Sequence, residues 1–135
     1  MRFMMLYKPG RETDAPPSEQ EIADMGELIQ AMARAGVLLA ADGLKPSSKG
    51  SRVRIAGEKF TVIDGPFTET KELIAGYAIV QVETMEEALA WAKRFLTVTG
   101  EGESEIREMH DAPAFDAKAL PPRAAQAGQR QQVAS

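Results

Sequence analysis

Apolar residues along this chain switch between two spacings, and the switches divide it into elements. Phe3 to Lys8 carries large apolar residues in succession, the pattern of a strand buried on both faces or packed at an interface. Pro9-Gly10 closes it, and the polar loop to Pro17 holds three of the eight prolines. From Ile22 the spacing becomes three and four: Ile22, Met25, Leu28, Ile29 and Met32 make one face of a helix. Ser18-Glu19-Gln20-Glu21 is its capping box, the hydroxyl accepting from the Glu21 amide while the glutamate reaches back to the N-cap amide. Gly36 is placed to end that helix at its C′ position.

Val37 to Ala40 reads as a second strand and Asp42-Gly43 as a turn. Arg52-Val53-Arg54-Ile55 alternates as a half-buried strand should, Gly57-Glu58 makes a hairpin turn, and Lys59 to Ile63 returns. Ile74 to Val82 is a strand that Gly76 interrupts. Thr84-Met85-Glu86-Glu87 is a second capping box, opening a helix whose apolar face is Met85, Ala88, Leu89, Ala92, Phe95 and Leu96. Gly100 to Gly102 breaks it, and Glu105 to Met109 is a last, alternating strand. The order is βαβ, hairpin, βαβ. That is the pattern of an α+β ferredoxin-like plait, an antiparallel sheet with two helices on one face. The open sheet face needs a cover, and a homodimer is the economical one.

Composition narrows the chemistry. The 135 residues, 44% hydrophobic and 27% charged, suit one domain with its own core. With no cysteine, thiol catalysis, disulfides and Cys-ligated metal are excluded. The net charge of −4 gives no overall positive field for nucleic acid or anionic membrane. Residues 116–135 carry Asp116 against Lys118, Arg123 and Arg130, and their Ala, Gln and Pro content predicts a flexible tail after a domain at 1–115. No apolar run spans a bilayer, and the short apolar run at the N-terminus lacks the form of a signal peptide. The expectation is a soluble, cytoplasmic protein. There is no HExxH, P-loop or GxGxxG, so neither metal nor cofactor is expected. In His110-Asp111, neighbouring strand residues point to opposite faces, which makes a surface histidine and not a dyad.

Functional groups concentrate in Asp64-Gly65-Pro66-Phe67-Thr68-Glu69-Thr70-Lys71-Glu72. An Asp before Gly commonly accepts from the amide two residues on, but here that residue is Pro66, which has none. Asp64 must find another donor, such as the amide of Phe67 or Thr68, or point into a cavity. Lys71 can pair with Glu69, Glu72 or Asp64.

These nine residues closely resemble the signature of the YCII-related, DGPF (DGPFAETKE) family, with Thr68 in place of the usual alanine. The likeness extends to Leu73-Ile74-Ala75-Gly76-Tyr77, Glu86-Glu87-Ala88, Trp91-Ala92 and Glu105-Ile106-Arg107, over residues 1–115. It implies a dimeric α+β barrel built from the plait that the element order predicts. The family is largely uncharacterised. Related proteins carry a His–Asp pair suggested as an acid–base site, and members of this branch occur beside or fused to extracytoplasmic-function sigma factors. Here the only histidine, His110, lies at the end of the last strand and not in the first helix, a departure from that pair. The residues themselves suggest a small-molecule binder or acid–base enzyme with a pocket at the sheet and dimer interface. In it Asp64 or Glu69 acts as base, Lys71 or Arg107 holds an anion, and Tyr7, Phe67 and Glu72 line the ligand. The alternative is a non-catalytic partner of such a sigma factor.

Overall fold

The computed structural model describes residues 1–69 and 72–111. Six strands and two α-helices follow one another as β1 (Arg2–Lys8), α1 (Glu19–Arg34), β2 (Leu38–Gly43), β3 (Ser51–Ala56), β4 (Lys59–Asp64), β5 (Gly76–Gln81), α2 (Met85–Thr99) and β6 (Glu103–Glu108). Four strands form one sheet in the order β2-β5-β1-β6, all neighbours antiparallel, while β3 and β4 form a separate hairpin. Each helix connects two parallel strands that flank a third, so two split βαβ units interleave. That is the ferredoxin-like plait, with a hairpin inserted between its halves.

Sequence and cap geometry agree at the helices. Ser18 Oγ accepts from the Glu21 amide at 3.1 Å, and Thr84 Oγ1 accepts from the Glu87 amide at 3.2 Å. Neither return limb is as expected: Glu21 makes no bond back to the Ser18 amide, and Glu87 accepts from the Glu83 amide, one residue before the N-cap. Gly36 and Gly100 end the helices at φ +71° and +78°, the left-handed conformation that stops a helix with its carbonyls bonded. Replacing Ser18 by alanine should cost about 1 kcal/mol in a urea titration, because one first-turn amide loses its acceptor.

Alternation along β1 sorts the sheet into two faces. Phe3 and Met5 point to the helices with Val80, and Phe3 and Val80 are register partners with no exposed surface. They pack with Leu28 and Met32 of α1, Ala88 and Ala92 of α2, and Val82. Small alanines on α2 let that helix approach the sheet. The buried stripe is rotated from the expected one: Trp91, Phe95 and Val98 pack on the core, while Met85 and Leu89 are 37% and 42% exposed. The opposite sheet face presents Met4 and Leu6 of β1 and Ile79 of β5, ringed by Arg2, Lys8, Asp42, Tyr77, Glu105 and Arg107.

Three local expectations are corrected. Asp42 and Gly43 are not a turn but the end of β2, paired with Tyr77 and Gly76, because β5 extends far enough to hold them in the ladder. Gly76 does not interrupt a strand; it begins β5, and a Cβ there would press on the Asp42 carbonyl at 3.1 Å. Among the described residues the β3–β4 hairpin is not half-buried. Val53, Ile55, Phe60 and Val62 are 63–70% exposed on one of its faces, since no other helix or strand of the described residues packs closely on it. Among the described residues no helix is long and apolar enough to cross a membrane. The expected tail, residues 116–135, lies outside the described residues.

Candidate functional site

Where α1 and α2 cover the sheet they leave a cavity of about 380 Å³. Its floor follows from residue size. The row Gly43, Gly76, Tyr7 and Ser104 crosses β2, β5, β1 and β6, and the next row is Ala41, Ala78, Met5 and Ile106. Glycine, alanine and serine at five of those eight positions leave space that larger side chains would fill. The walls are Met25, Leu28, Ile29 and Met32 of α1 and Phe95 of α2. This volume and apolar character are those of a small-molecule pocket.

Tyr7 is the best-fixed polar group in the cavity. Its ring meets Phe95 edge-on with centroids 5.1 Å apart, and its hydroxyl donates to the Glu101 carbonyl at 3.0 Å. Gly102, at φ +99°, lies so close that any Cβ would strike the Tyr7 ring and the Lys8 carbonyl. The loop 100–102 is therefore moulded onto the tyrosine. Thr99 and Ser104 add two hydroxyls; the Thr99 hydroxyl is shared between the Glu101 carbonyl of the loop at 2.9 Å and the Leu96 carbonyl of α2 at 3.2 Å, and the Ser104 hydroxyl has no partner among the described residues. Asp42 and Tyr77 border the cavity, but their register places both side chains on the opposite sheet face. There the Tyr77 hydroxyl donates to Asp42 Oδ2 at 3.2 Å, and that hydrogen bond, with the carboxylate's charge, raises the phenol's pKa. No carboxylate or cation of the described residues points into the cavity.

A second hollow of about 220 Å³ adjoins it, the two separated by Tyr7, Ala75 and Thr99. Its lining mixes signs, with Arg11 and Lys45 against Glu12 and Glu21.

The stretch from Asp64 lies elsewhere, at the base of the hairpin. Asp64 finds its donor across the hairpin ladder: the Ser51 hydroxyl, 2.6 Å away. The amide of Phe67 instead donates to Ser47 Oγ at 3.0 Å. Ser47 donates both its amide and its hydroxyl to the Glu12 carboxylate at 2.7 and 2.6 Å. Glu12, Ser47 and Phe67 thus clamp the turn to the short 3-10 helix Ser47–Lys49. Gly65 lies against that helix so closely that a Cβ would overlap the Ser47 carbonyl. Arg52 stacks on the Phe67 ring at 3.9 Å and approaches Glu72 at 3.8 Å. Such a partly exposed pair contributes little.

The family model for the YCII-related domain matches residues 1–111 of this chain. The chain is a YCII-related protein. It is also 27% identical over 93 residues to an uncharacterised protein of Rhizobium meliloti (strain 1021), covering 67% of this chain and 75% of that relative. Among solved structures it is similar to 5-chloro-2-hydroxyhydroquinone dehydrochlorinase of Burkholderia phenoliruptrix AC1100, determined with 2,5-dihydroxybenzoquinone. That likeness has a TM-score of 0.44 and 14% identity, covering 86% of this chain and all of that one.

In this YCII-related protein the expected site residues fall into three places. Tyr7 lines the cavity. Asp64 and Glu69 are exposed near the hairpin base, with Phe67 half-buried and Glu72 exposed beside Arg52, and none of the four lines the cavity. Arg107 pairs with Met4 in register and is exposed on the open sheet face, so it and Tyr7 lie on opposite sides of the sheet. Lys71 lies outside the described residues. His110 is exposed beyond β6, its carbonyl accepting from Arg2. The cavity-lining residues Met5, Met25, Gly76, Ala78 and Ser104 were not given a place in the site from the sequence. The signal was there as small residues at alternate positions 41 and 43, 76 and 78.

On the open face Lys8 Nζ and Glu105 Oε1 are 2.8 Å apart. Their hydrogen bond raises the lysine pKa and lowers that of the glutamate. A lowered carboxyl pKa adds stability that is present above the ordinary value near 4.5 and is lost as pH falls through the folded value. The raised lysine adds stability present below 10.5 and lost as pH rises past it. Glu105→Gln should therefore show a shallower loss of stability on acidification than the wild type in urea titrations taken across pH. Parallel acid limbs would refute this.

Proposed function

We propose that this YCII-related protein binds a small, uncharged and largely apolar molecule in the cavity beneath its two helices. The cavity itself carries the reading: about 380 Å³ floored by small residues, walled by methionine, leucine and phenylalanine, with hydroxyls the only polar side-chain groups that face it among the described residues. A charged ligand would be desolvated there without a counter-charge, which is costly. A flat molecule with one hydroxyl or carbonyl matches it, since the Ser104 hydroxyl is free to pair and the Tyr7 oxygen can still accept.

The same lining favours binding over acid–base chemistry at this point, because among the described residues no carboxylate, imidazole or amine faces the ligand. An acid–base role for Asp64, Glu69 and Lys71 at a dimer interface, with Arg107 holding an anion, requires a second subunit. Only that would bury an aspartate that is exposed in one chain. Homodimerisation is part of the proposal, supported by Met4, Leu6 and Ile79 on a sheet face that no helix covers. The alternative partner, a sigma factor, would compete for the same uncovered surfaces. Fluorescence titration with 2-naphthol, a neutral aromatic alcohol, tests the binding site. Saturable one-to-one binding is expected, and a linear, non-saturating response would count against it.

A further inference from the structure

The second hollow, of about 220 Å³, differs from the apolar cavity in chemistry and shares a wall with it. Tyr7, Ala75 and Thr99 line both spaces. The wall is thin and its polar groups are already paired. Ala75 adds one methyl group, while its amide donates to the Tyr7 carbonyl and its carbonyl accepts from the Leu44 amide. The Thr99 hydroxyl is held by the Leu96 and Glu101 carbonyls. Tyr7 spans the wall. Its ring meets Phe95 of the cavity, and its hydroxyl donates to Glu101 of the hollow. A molecule reaching from one space to the other crosses a single layer of side chains.

The hollow offers charge where the cavity offers none. Arg11 and Lys45 stand exposed at its rim, and neither forms an ion pair among the described residues. Its glutamates are committed otherwise. The Glu12 carboxylate accepts the amide and the hydroxyl of Ser47. Glu21 lies in the first turn of α1, where the helix dipole offsets a negative charge. Glu101 meets the wall through its backbone carbonyl.

We infer that the two spaces are one site for an amphiphilic organic acid. Its apolar body lies in the cavity, and a carboxylate on a short methylene link lies in the hollow between Arg11 and Lys45. This rests on the binding proposed above and names the class of ligand: the part inside the cavity is uncharged, and the charge is carried outside it. The cost of desolvating a carboxylate among methionine and phenylalanine side chains is thereby avoided. Two cations can hold it through charge-assisted hydrogen bonds. Because both are exposed, water and salt screen the attraction, and the carboxylate is worth roughly fivefold in affinity.

Fluorescence titration of the full chain with four probes sharing one ring system tests this. They are 2-naphthol, 3-(2-naphthyl)propanoic acid, its primary amide and the corresponding propylamine. The acid should bind about fivefold more tightly than the amide. The double variant Arg11→Gln, Lys45→Gln should lose that difference and bind 2-naphthol as the wild type does, since neither residue lines the cavity. Equal binding of acid and amide by a wild type that 2-naphthol saturates overturns the acid and leaves the cavity reading intact. A preference for the acid that survives the double substitution places the carboxylate elsewhere and overturns the inference too. An amine bound more tightly than the acid would assign the hollow to its glutamates, with the same consequence. Failure of 2-naphthol to saturate removes the cavity reading, and the acid with it.

Discussion

Gly65→Ala should lower the melting temperature by roughly 10 °C, the largest stability loss expected from a single methyl group outside the core. A Cβ at Gly65 would overlap the carbonyl oxygen of Ser47; that oxygen is backbone and the Cβ position is set by backbone, so neither can yield by rotating a side chain. Relief requires moving the 3-10 helix Ser47–Lys49 away from the turn. That helix is pinned from the other side by the Glu12 carboxylate on the Ser47 amide and hydroxyl. The move would also withdraw Ser47 Oγ from the Phe67 amide, leaving a partly buried donor unpaired. Overpacking with a lost hydrogen bond costs about 3 kcal/mol, which at this chain length gives the stated shift. Gly50→Ala is the control. Its Cβ would meet the same carbonyl at an ordinary 3.5 Å in extended backbone, and stability should change by no more than about 0.5 kcal/mol. Equal losses at the two positions would refute the role given to close approach at Gly65.

Ala78→Phe should abolish 2-naphthol binding, with at least about a 30-fold loss of affinity, while leaving the fold intact. Ala78 sits mid-strand on β5, opposite Met5, on the face that forms the cavity floor. A phenylalanine there occupies the space between Tyr7, Met32 and Phe95 that the ligand would take. Filling an existing apolar void raises stability by about 0.5–2 kcal/mol, so the melting temperature should hold or rise. The combination separates a blocked site from a damaged protein. Ser104→Leu, on the edge strand β6, should weaken binding from the opposite side of the same floor. A ligand that still binds Ala78→Phe with wild-type affinity is bound somewhere else.

The plait was legible in the sequence because its signals are local. Two capping boxes, two apolar helical faces and the glycines after each helix fixed the helices, and the spacing between them fixed the strands. The misplaced elements were those whose pattern is decided by tertiary context. Asp42-Gly43 has the composition of a turn, yet it stays in β2 because β5 supplies a ladder there. The hairpin alternates like a half-buried strand pair, but among the described residues no helix or other strand packs closely on it. At the candidate site, the Asp64 stretch stood out through its functional-group density. The denial of the usual turn bond by Pro66 correctly required another donor, and Ser51 is that donor. What period and composition could not show is that the cavity lies under the helices. A pocket made by small residues on four strands exists only once their register is set. Tyr7 was named for the site, but its partners Phe95 and Gly102 lie about ninety residues away and come to it through the β1–β6 pairing.

The seven methionines provide the most direct test of ligand placement. Met5, Met25 and Met32 line the cavity, whereas Met4, next in sequence to Met5, points to the opposite face of the sheet. The measurement is a ¹³C-methyl methionine spectrum of the full chain recorded through a titration with 2-naphthol. The account predicts that the methyl signals of Met5, Met25 and Met32 shift together with one saturation curve while Met1, Met4, Met85 and Met109 stay in place. Movement of Met4 with Met5, Met25 and Met32 unmoved would put the ligand on the open sheet face and contradict it.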